Sequence, residues 1–306
     1  MEFYGMTGEK LGTIGQVGTM TELPRWKKAF LEKPSISIRK GIAWGYSPPY
    51  EDTSTLVLTS PNAVFIDVRF PLQPTDPSKP VTSDPAFWAF SGTSSTTFHP
   101  ESSAEVSMPY SAHSAWKHEI DSKGPGISDE GDMFLLPNDD CIEVGMMESP
   151  QTKRVEMYKE YWTAPAAELG SGSVIPRTPC VVAQTVESKG GHGGAKGTGN
   201  GKGVVIRIGD YCQGIVEQCG EDGSFRGVLV ERWQKVPVER NPLLSSDTLG
   251  ARDSTANHTD WVKDQRSNTP EGETLMPCLW ICEHNRRLGD EVVIHGIAWR
   301  VVEMVL

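Results

Sequence analysis

The chain has little that would attract a polyanion. Its 306 residues carry 29 Lys and Arg against 40 Asp and Glu, a net charge of −11. Nucleic-acid binding draws most of its affinity from basic side chains that neutralise phosphates. No basic run offsets the acidic balance, so nucleic acid is not expected as a partner, and the same balance argues against an anionic membrane surface. Long apolar runs are missing too: nothing approaches the roughly 20 residues of a membrane span. The N-terminal MEFYGMTGEKLGTIGQVG has no apolar stretch of signal-peptide length. A cytoplasmic protein is expected, with its six scattered cysteines, Cys141, Cys180, Cys212, Cys219, Cys278 and Cys282, kept as reduced thiols.

Catalytic signatures are also lacking. No serine sits in a G-x-S-x-G elbow and no H-E-x-x-H helix exists. The Gly-rich stretch SKGGHGGAKGTGNGKG (188–203) fails as a phosphate loop, because Lys202 is followed by Gly203 and no glycine lies five residues before Gly201. It reads as a low-complexity hairpin loop. Asp129-Glu130-Gly131-Asp132 lacks the spacing of a calcium loop and reads as a solvated turn. Cys278, Cys282 and His284 invite a metal reading. On an extended LWIC, however, the two cysteines would lie ~13 Å apart at ~3.3 Å per residue, too far for one zinc ion with ~2.3 Å bonds. No metal and no cofactor is expected.

What is present is turn-forming and strand-forming residues. The 31 glycines and 22 prolines suit many short strands better than a helical bundle. In SISIRKGIAW a two-residue period places Ile36, Ile38, Ile42 and Trp44 on one face. TSTLVLTS, then Pro61-Asn62, then AVFIDVRF reads as a hairpin in which Val64, Ile66, Val68 and Phe70 point one way while Asp67 and Arg69 point the other. FWAFSGTSSTTF, SAHSAWKHEIDS and VEMYKEYWTA continue the series. Beyond AELGSGSVIPRTP come CVVAQTV, GVVIRIGDYCQGIVEQ, FRGVLVERWQKV, LMPCLWICEHN and EVVIHGIAWRVVEMVL, each a strand or strand pair. The expected fold is all-β, with two lipocalin-like antiparallel barrels, since meanders remove their edges by closing. The expected organisation is an N-terminal extension over 1–34 (one short helix around Glu22–Leu31), a barrel over 35–166, a linker over 167–178 and a second barrel with its own core over 179–306.

Candidate site residues come from the aromatic stripes. Trp88 and Phe90 alternate to one strand face, as do Tyr158 and Trp162, and Trp116 lies between His113 and His118. Trp88, Phe90, Trp116 and Trp162 are expected to line a ligand cavity, with His113, His118 and Tyr158 as proton-transfer groups. Strand alternation sends the two histidines to opposite faces, so only one is expected to reach a given cavity.

Taken in order, SISIR, TSTLVLTSP with FIDVRF, FWAFSGTSS, WKHEIDS, DEGDMFLLPND, YKEYW, VVIRIGDYCQGIVEQ and GDEVVIHGIAWRVVEMVL resemble the fungal Hri family. The resemblance runs from about residue 35 to the C-terminus and implies two lipocalin-like β-barrels, one per half. The family's founding yeast member is named for associating with a casein kinase 1, which implies a non-catalytic adaptor that binds a protein kinase. The N-terminal extension, the 71–85 and 188–203 loops and the polar 240–272 insertion set this chain apart. These additions suggest a specialised relative, and the chain is similar to the fungal barrel proteins that act as hetero-Diels–Alderases in tropolone–sesquiterpenoid pathways. That likeness implies a cofactor-free cyclase of secondary metabolism whose cavity takes an apolar polyene or quinone-methide-like molecule. A cycloaddition needs only two reactants held in register, where orientation can supply ~7–11 kcal/mol of the barrier.

Overall fold

In a computed structural model, residues 34–98, 111–136, 138, 140–165, 179–186, 201–220, 222–237, 259–269, 275–283 and 286–305 are described. The expected helix at Glu22–Leu31, the 167–178 linker, most of the Gly-rich loop and most of the 240–272 insertion lie outside these residues. Eight strands close a barrel: β1 (Ser35–Trp44), β2 (Thr53–Thr59), β3 (Val64–Pro71), β4 (Trp88–Phe98), β5 (Ser111–Asp121), β6 (Ser128–Leu135), β7 (Cys141–Glu148) and β8 (Val155–Thr163). Each runs antiparallel to its chain neighbour, and β8 returns to pair with β1. The β2–β3 turn at Pro61-Asn62 forms as read, with the Val64 carbonyl accepting from the Ser60 amide at 2.7 Å.

The second half contains β9 (Cys180–Thr185), β10 (Gly203–Ile208), β11 (Tyr211–Cys219), β12 (Phe225–Pro237), β13 (Thr259–Lys263), β14 (Glu291–Ile294) and β15 (Ile297–Val305). They form one antiparallel sheet in the order β13-β12-β11-β10-β9-β15-β14. The all-β class is as expected, but this half is a curled seven-stranded sheet whose edges, β13 and β14, do not meet. The β14–β15 hairpin turns on His295 (φ 50) and Gly296 (φ 80), the two positive φ values of a type I′ turn. No helix among the described residues is long and apolar enough to cross a membrane.

Three sequence expectations need correction. LWIC is not a strand: Cys278–Cys282 form a short helix, α1, that places both thiols one turn apart, packed on the outer face of the second sheet. The spacing argument against a shared metal therefore does not apply. Asp129–Asp132 is no solvated turn, since it lies within β6. Finally, a β-bulge between Arg39 and Gly41 splits the stripe expected in β1. Ile38 stays on the outer face, packed towards the second sheet, while Ile42 and Trp44 turn to the interior beside Tyr158.

The two halves share one apolar cluster, beside others confined to a single half. Leu56, Leu58, Ile66, Val68, Phe70 and Ala89 of the barrel form one cluster with Val182, Val204, Ile206, Ile208, Ile215, Val228 and Val230 of the second sheet. Burying each large aliphatic side chain contributes about 1.5–3 kcal/mol, so this seam is a main source of stability for both halves. Polar groups fix its register. Arg232 donates from Nε to Gln213 at 3.0 Å and from its terminal nitrogens to the Ser54 and Val68 carbonyls at 3.1 and 2.6 Å. Glu303 accepts from the Ser60 hydroxyl and the Asn62 amide at 2.7 and 2.8 Å.

Candidate functional site

With the aliphatic face of β2, β3 and β4 turned outward to the second sheet, the barrel encloses the other face of each strand, which carries aromatic and charged side chains. From β3 come Phe65, Asp67 and Arg69; from β4, Trp88 and Phe90; from β5, Ser114, Trp116 and His118. Asp129 on β6, Glu143 on β7 and Tyr158, Glu160 and Trp162 on β8 complete the ring, with Arg39 from β1. A cavity of about 250 Å³ opens among them, walled by Phe65, Phe90, Trp116, Met133 and Trp162 and floored by Asp67, Arg69, Asp129 and Glu143.

The charges at the floor form a connected network. Glu160 Oε1 accepts from Arg39 at 2.5 Å and from Arg69 at 3.3 Å. Arg39 also grips Glu51 with Nε and a terminal nitrogen at 3.0 and 2.8 Å. Arg69 donates twice to Asp67 Oδ2, at 3.1 and 2.8 Å, and its guanidinium lies over the Trp88 and Phe90 rings. Burial opposes the charge on Arg69, but Asp67 and Glu160 outweigh it and raise its pKa. Asp67 Oδ1 is buried and has no hydrogen-bond partner among the described residues.

Glu143 is buried, with only its edge at the cavity floor. Its Oε1 accepts from the Tyr158 hydroxyl at 2.7 Å and its Oε2 from the Trp162 indole at 3.1 Å. Burial, then the charges of Glu160 and Asp129, push its carboxyl well above the usual range. Asp129 and Asp67 are also raised, by burial first in each case. Burial and the Glu143 charge raise the Tyr158 phenol, so it serves as a hydrogen-bond donor and not as a base. Room for this arrangement comes from Gly145, paired across the strands with Tyr158: a Cβ there would overlap the tyrosine ring.

Among the residues expected from sequence, Phe90, Trp116 and Trp162 line the cavity. Trp88 lies beneath, tilted against Phe90 with ring centroids 4.5 Å apart and donating its indole N–H to Asp121 at 3.0 Å. Tyr158 sits behind Glu143, outside the cavity lining. His118 points inward with its side chain 1% exposed, stacks on Phe90 at 4.1 Å and meets Asp121 through Nδ1 at 2.7 Å. Its Nε2 is buried without a hydrogen-bond partner among the described residues. His113 faces outward, 42% exposed, against Asp132. Strand alternation separates the two histidines as expected, and only His118 belongs to the interior.

Sequence reading missed Arg39, Asp67, Arg69, Asp129, Glu143 and Glu160. A signal existed for two of them: Asp67 and Arg69 alternate with four apolar residues in a strand that is buried on both faces. The others have their partners far away in sequence, and nothing local marks them.

Fold and interior together define a closed, internally charged antiparallel β-barrel joined through a shared core to a curled second sheet. Residues 35–303 match the family model described as Protein HRI1, and the chain belongs to that family. The crystal structure of the uncharacterized protein YLR301w from Saccharomyces cerevisiae is similar to it, with a TM-score of 0.57 and 15% identity over 90% of this chain and 100% of that one. At that identity the likeness concerns the fold alone. No curated protein matches the chain.

Proposed function

We propose that the barrel is a binding site for one small amphiphilic molecule. The observation that carries this is the cavity itself: aromatic and apolar walls lead to a floor of buried polar groups, one of which, Asp67 Oδ1, has an unmet hydrogen-bonding position. Ligand sites generally combine a mostly apolar lining with a few convergent polar groups, and carboxyls with raised pKa values concentrate at functional sites. Six free cysteines suit a reducing compartment such as the cytoplasm.

Size bears on the choice among chemistries. Cavities for drug-sized ligands run from about 300 to 1,000 Å³, so about 250 Å³ suits one small molecule better than a polyene and a quinone-methide-like partner held together. If the site is catalytic, cofactor-free acid–base chemistry on a single substrate fits it better than a cycloaddition. Glu143 would then be the acid, since burial raises its carboxyl pKa and favours the proton-bearing form, with Tyr158 and Trp162 orienting it. A kinase-binding adaptor would be expected to display an exposed apolar patch. The apolar outer face of β2, β3 and β4 is instead covered by the second sheet.

The test is saturable quenching of tryptophan fluorescence by hexan-1-ol, read in wild type and in Ser114→Phe, which fills the cavity from β5. Binding in wild type and its loss in a variant with unchanged thermal midpoint is the expected result. Equal binding by both would place the ligand elsewhere and reject the assignment.

A further inference from the structure

The balance of charge at the cavity floor narrows the ligand class, taking as given that the barrel cavity is a binding site. Five carboxyls, of Glu51, Asp67, Asp129, Glu143 and Glu160, surround only two guanidiniums, of Arg39 and Arg69. Beyond Trp88, Asp121 is engaged separately: it meets the His118 ring and accepts the Lys123 backbone amide. The two guanidiniums are already committed, Arg39 to Glu51 and Glu160, and Arg69 to Asp67 and Glu160.

Where the excess negative capacity reaches the cavity, it is unmatched. Asp67 is 3% exposed and is one of the residues that line the cavity; its Oδ2 accepts from Arg69, and its Oδ1 is buried without a hydrogen-bond partner among the described residues. Asp129 and Glu143 line the same floor. Above them stand Phe90, Trp116 and Trp162, whose π faces attract a cation held within about 6 Å. Carboxylate below and aromatic ring above is an arrangement complementary to an alkylammonium group with a short apolar tail. An anionic ligand would meet three carboxyls, and Arg69, the cation that lines the cavity, is already held by Asp67 and Glu160.

We propose that the barrel cavity binds a small primary amine, with the ammonium donating to Asp67 Oδ1 and the hydrocarbon part lying against Phe90, Trp116 and Trp162. The ammonium completes the hydrogen bonding of a buried oxygen that otherwise has none, and its charge offsets the carboxyl excess. A neutral alcohol satisfies the hydrogen bond but leaves the charge imbalance, so the two differ in affinity.

The experiment is isothermal titration of the full chain with hexylamine, hexan-1-ol and hexanoate at pH 7.5, repeated on Asp67→Asn. Hexylamine is expected to bind at least about ten-fold more tightly than hexanol, equivalent to about 1.4 kcal/mol, with hexanoate weakest. Asp67→Asn is expected to collapse that preference towards one. Equal affinities for the amine and the alcohol in wild type, or a preference for hexanoate, overturn the amine assignment while leaving the cavity reading intact. Failure of all three to bind overturns the cavity reading, and the amine assignment with it. If Asp67→Asn does not fold, Asp129→Asn replaces it, and an undiminished preference for the amine in whichever variant folds rejects the carboxylate contact.

Discussion

Replacing Arg232 with methionine tests whether the seam between the two halves behaves as one structure. The guanidinium is buried between the sheets. It donates to Gln213 Oε1 at 3.0 Å, to the Ser54 hydroxyl at 3.0 Å, and to the Ser54 and Val68 carbonyls at 3.1 and 2.6 Å. It also lies over the Phe70 ring at 4.7 Å. Hydrogen bonds to charged groups contribute about 1.5–3 kcal/mol each, so the four together supply about 6 kcal/mol at the low end. Burial opposes them: it is the main cause that pushes the Arg232 pKa down to about 10, and the nearest carboxylate oxygen, on Asp264, is 3.9 Å away. That depression corresponds to about 3 kcal/mol against the charged form. Because the folded-state pKa is lowered, this unfavourable term is present throughout the ordinary pH range and fades only in strong alkali. The difference leaves the arginine favourable by about 3 kcal/mol, and Arg232→Met, which keeps the contact with Phe70 but strands the acceptors, is expected to cost about 3–5 kcal/mol. Urea unfolding followed by tryptophan fluorescence and far-UV circular dichroism measures it. The wild type is expected to unfold in one transition by both probes, because the apolar seam is shared. A cost below 1 kcal/mol, or two separate wild-type transitions, would refute the reasoning.

Two other perturbations address the barrel interior. Glu143 has a raised folded-state pKa, so its contribution to stability is fully present below its unfolded value and is lost as pH rises towards the folded value. Glu143→Gln removes that loss. Its thermal midpoint is expected to exceed that of wild type at pH 7.5, with the difference vanishing near pH 4. A variant less stable than wild type at pH 7.5 would show that the ionised carboxyl is the stabilising form. Gly145→Ala forces a methyl group into the Tyr158 ring, which is expected to destabilise by about 1–3 kcal/mol in urea melts and to weaken hexanol binding as Tyr158 releases Glu143. Unchanged stability would mean that the ring has another position open to it.

The sequence alone determined the local order of this protein. Period-two alternation marked the strands, Pro61-Asn62 marked the β2–β3 turn, and GVVIRIGDYCQGIVEQ and EVVIHGIAWRVVEMVL were legible as strand pairs because Gly209-Asp210 and His295-Gly296 interrupt them. Alternation on β5 also separated His113 from His118 correctly. What it left open was which face of each strand looks inward. On β3 both faces are buried, Ile66, Val68 and Phe70 against the second sheet and Asp67 and Arg69 inside the barrel, and a period of two is the same whichever side is covered. The bulge in β1 and the helical turn at Cys278–Cys282 were equally hidden, since one extra residue in a ladder and a five-residue helix leave little mark in composition. Only the tertiary structure could make the interior charges tolerable. Arg39 meets Glu160 across 121 residues of chain and Arg69 meets it across 91, and a buried charge is stable only where such a partner arrives. Barrel closure brings those partners together, so the floor of the cavity, and with it the character of the ligand, was decided by the fold.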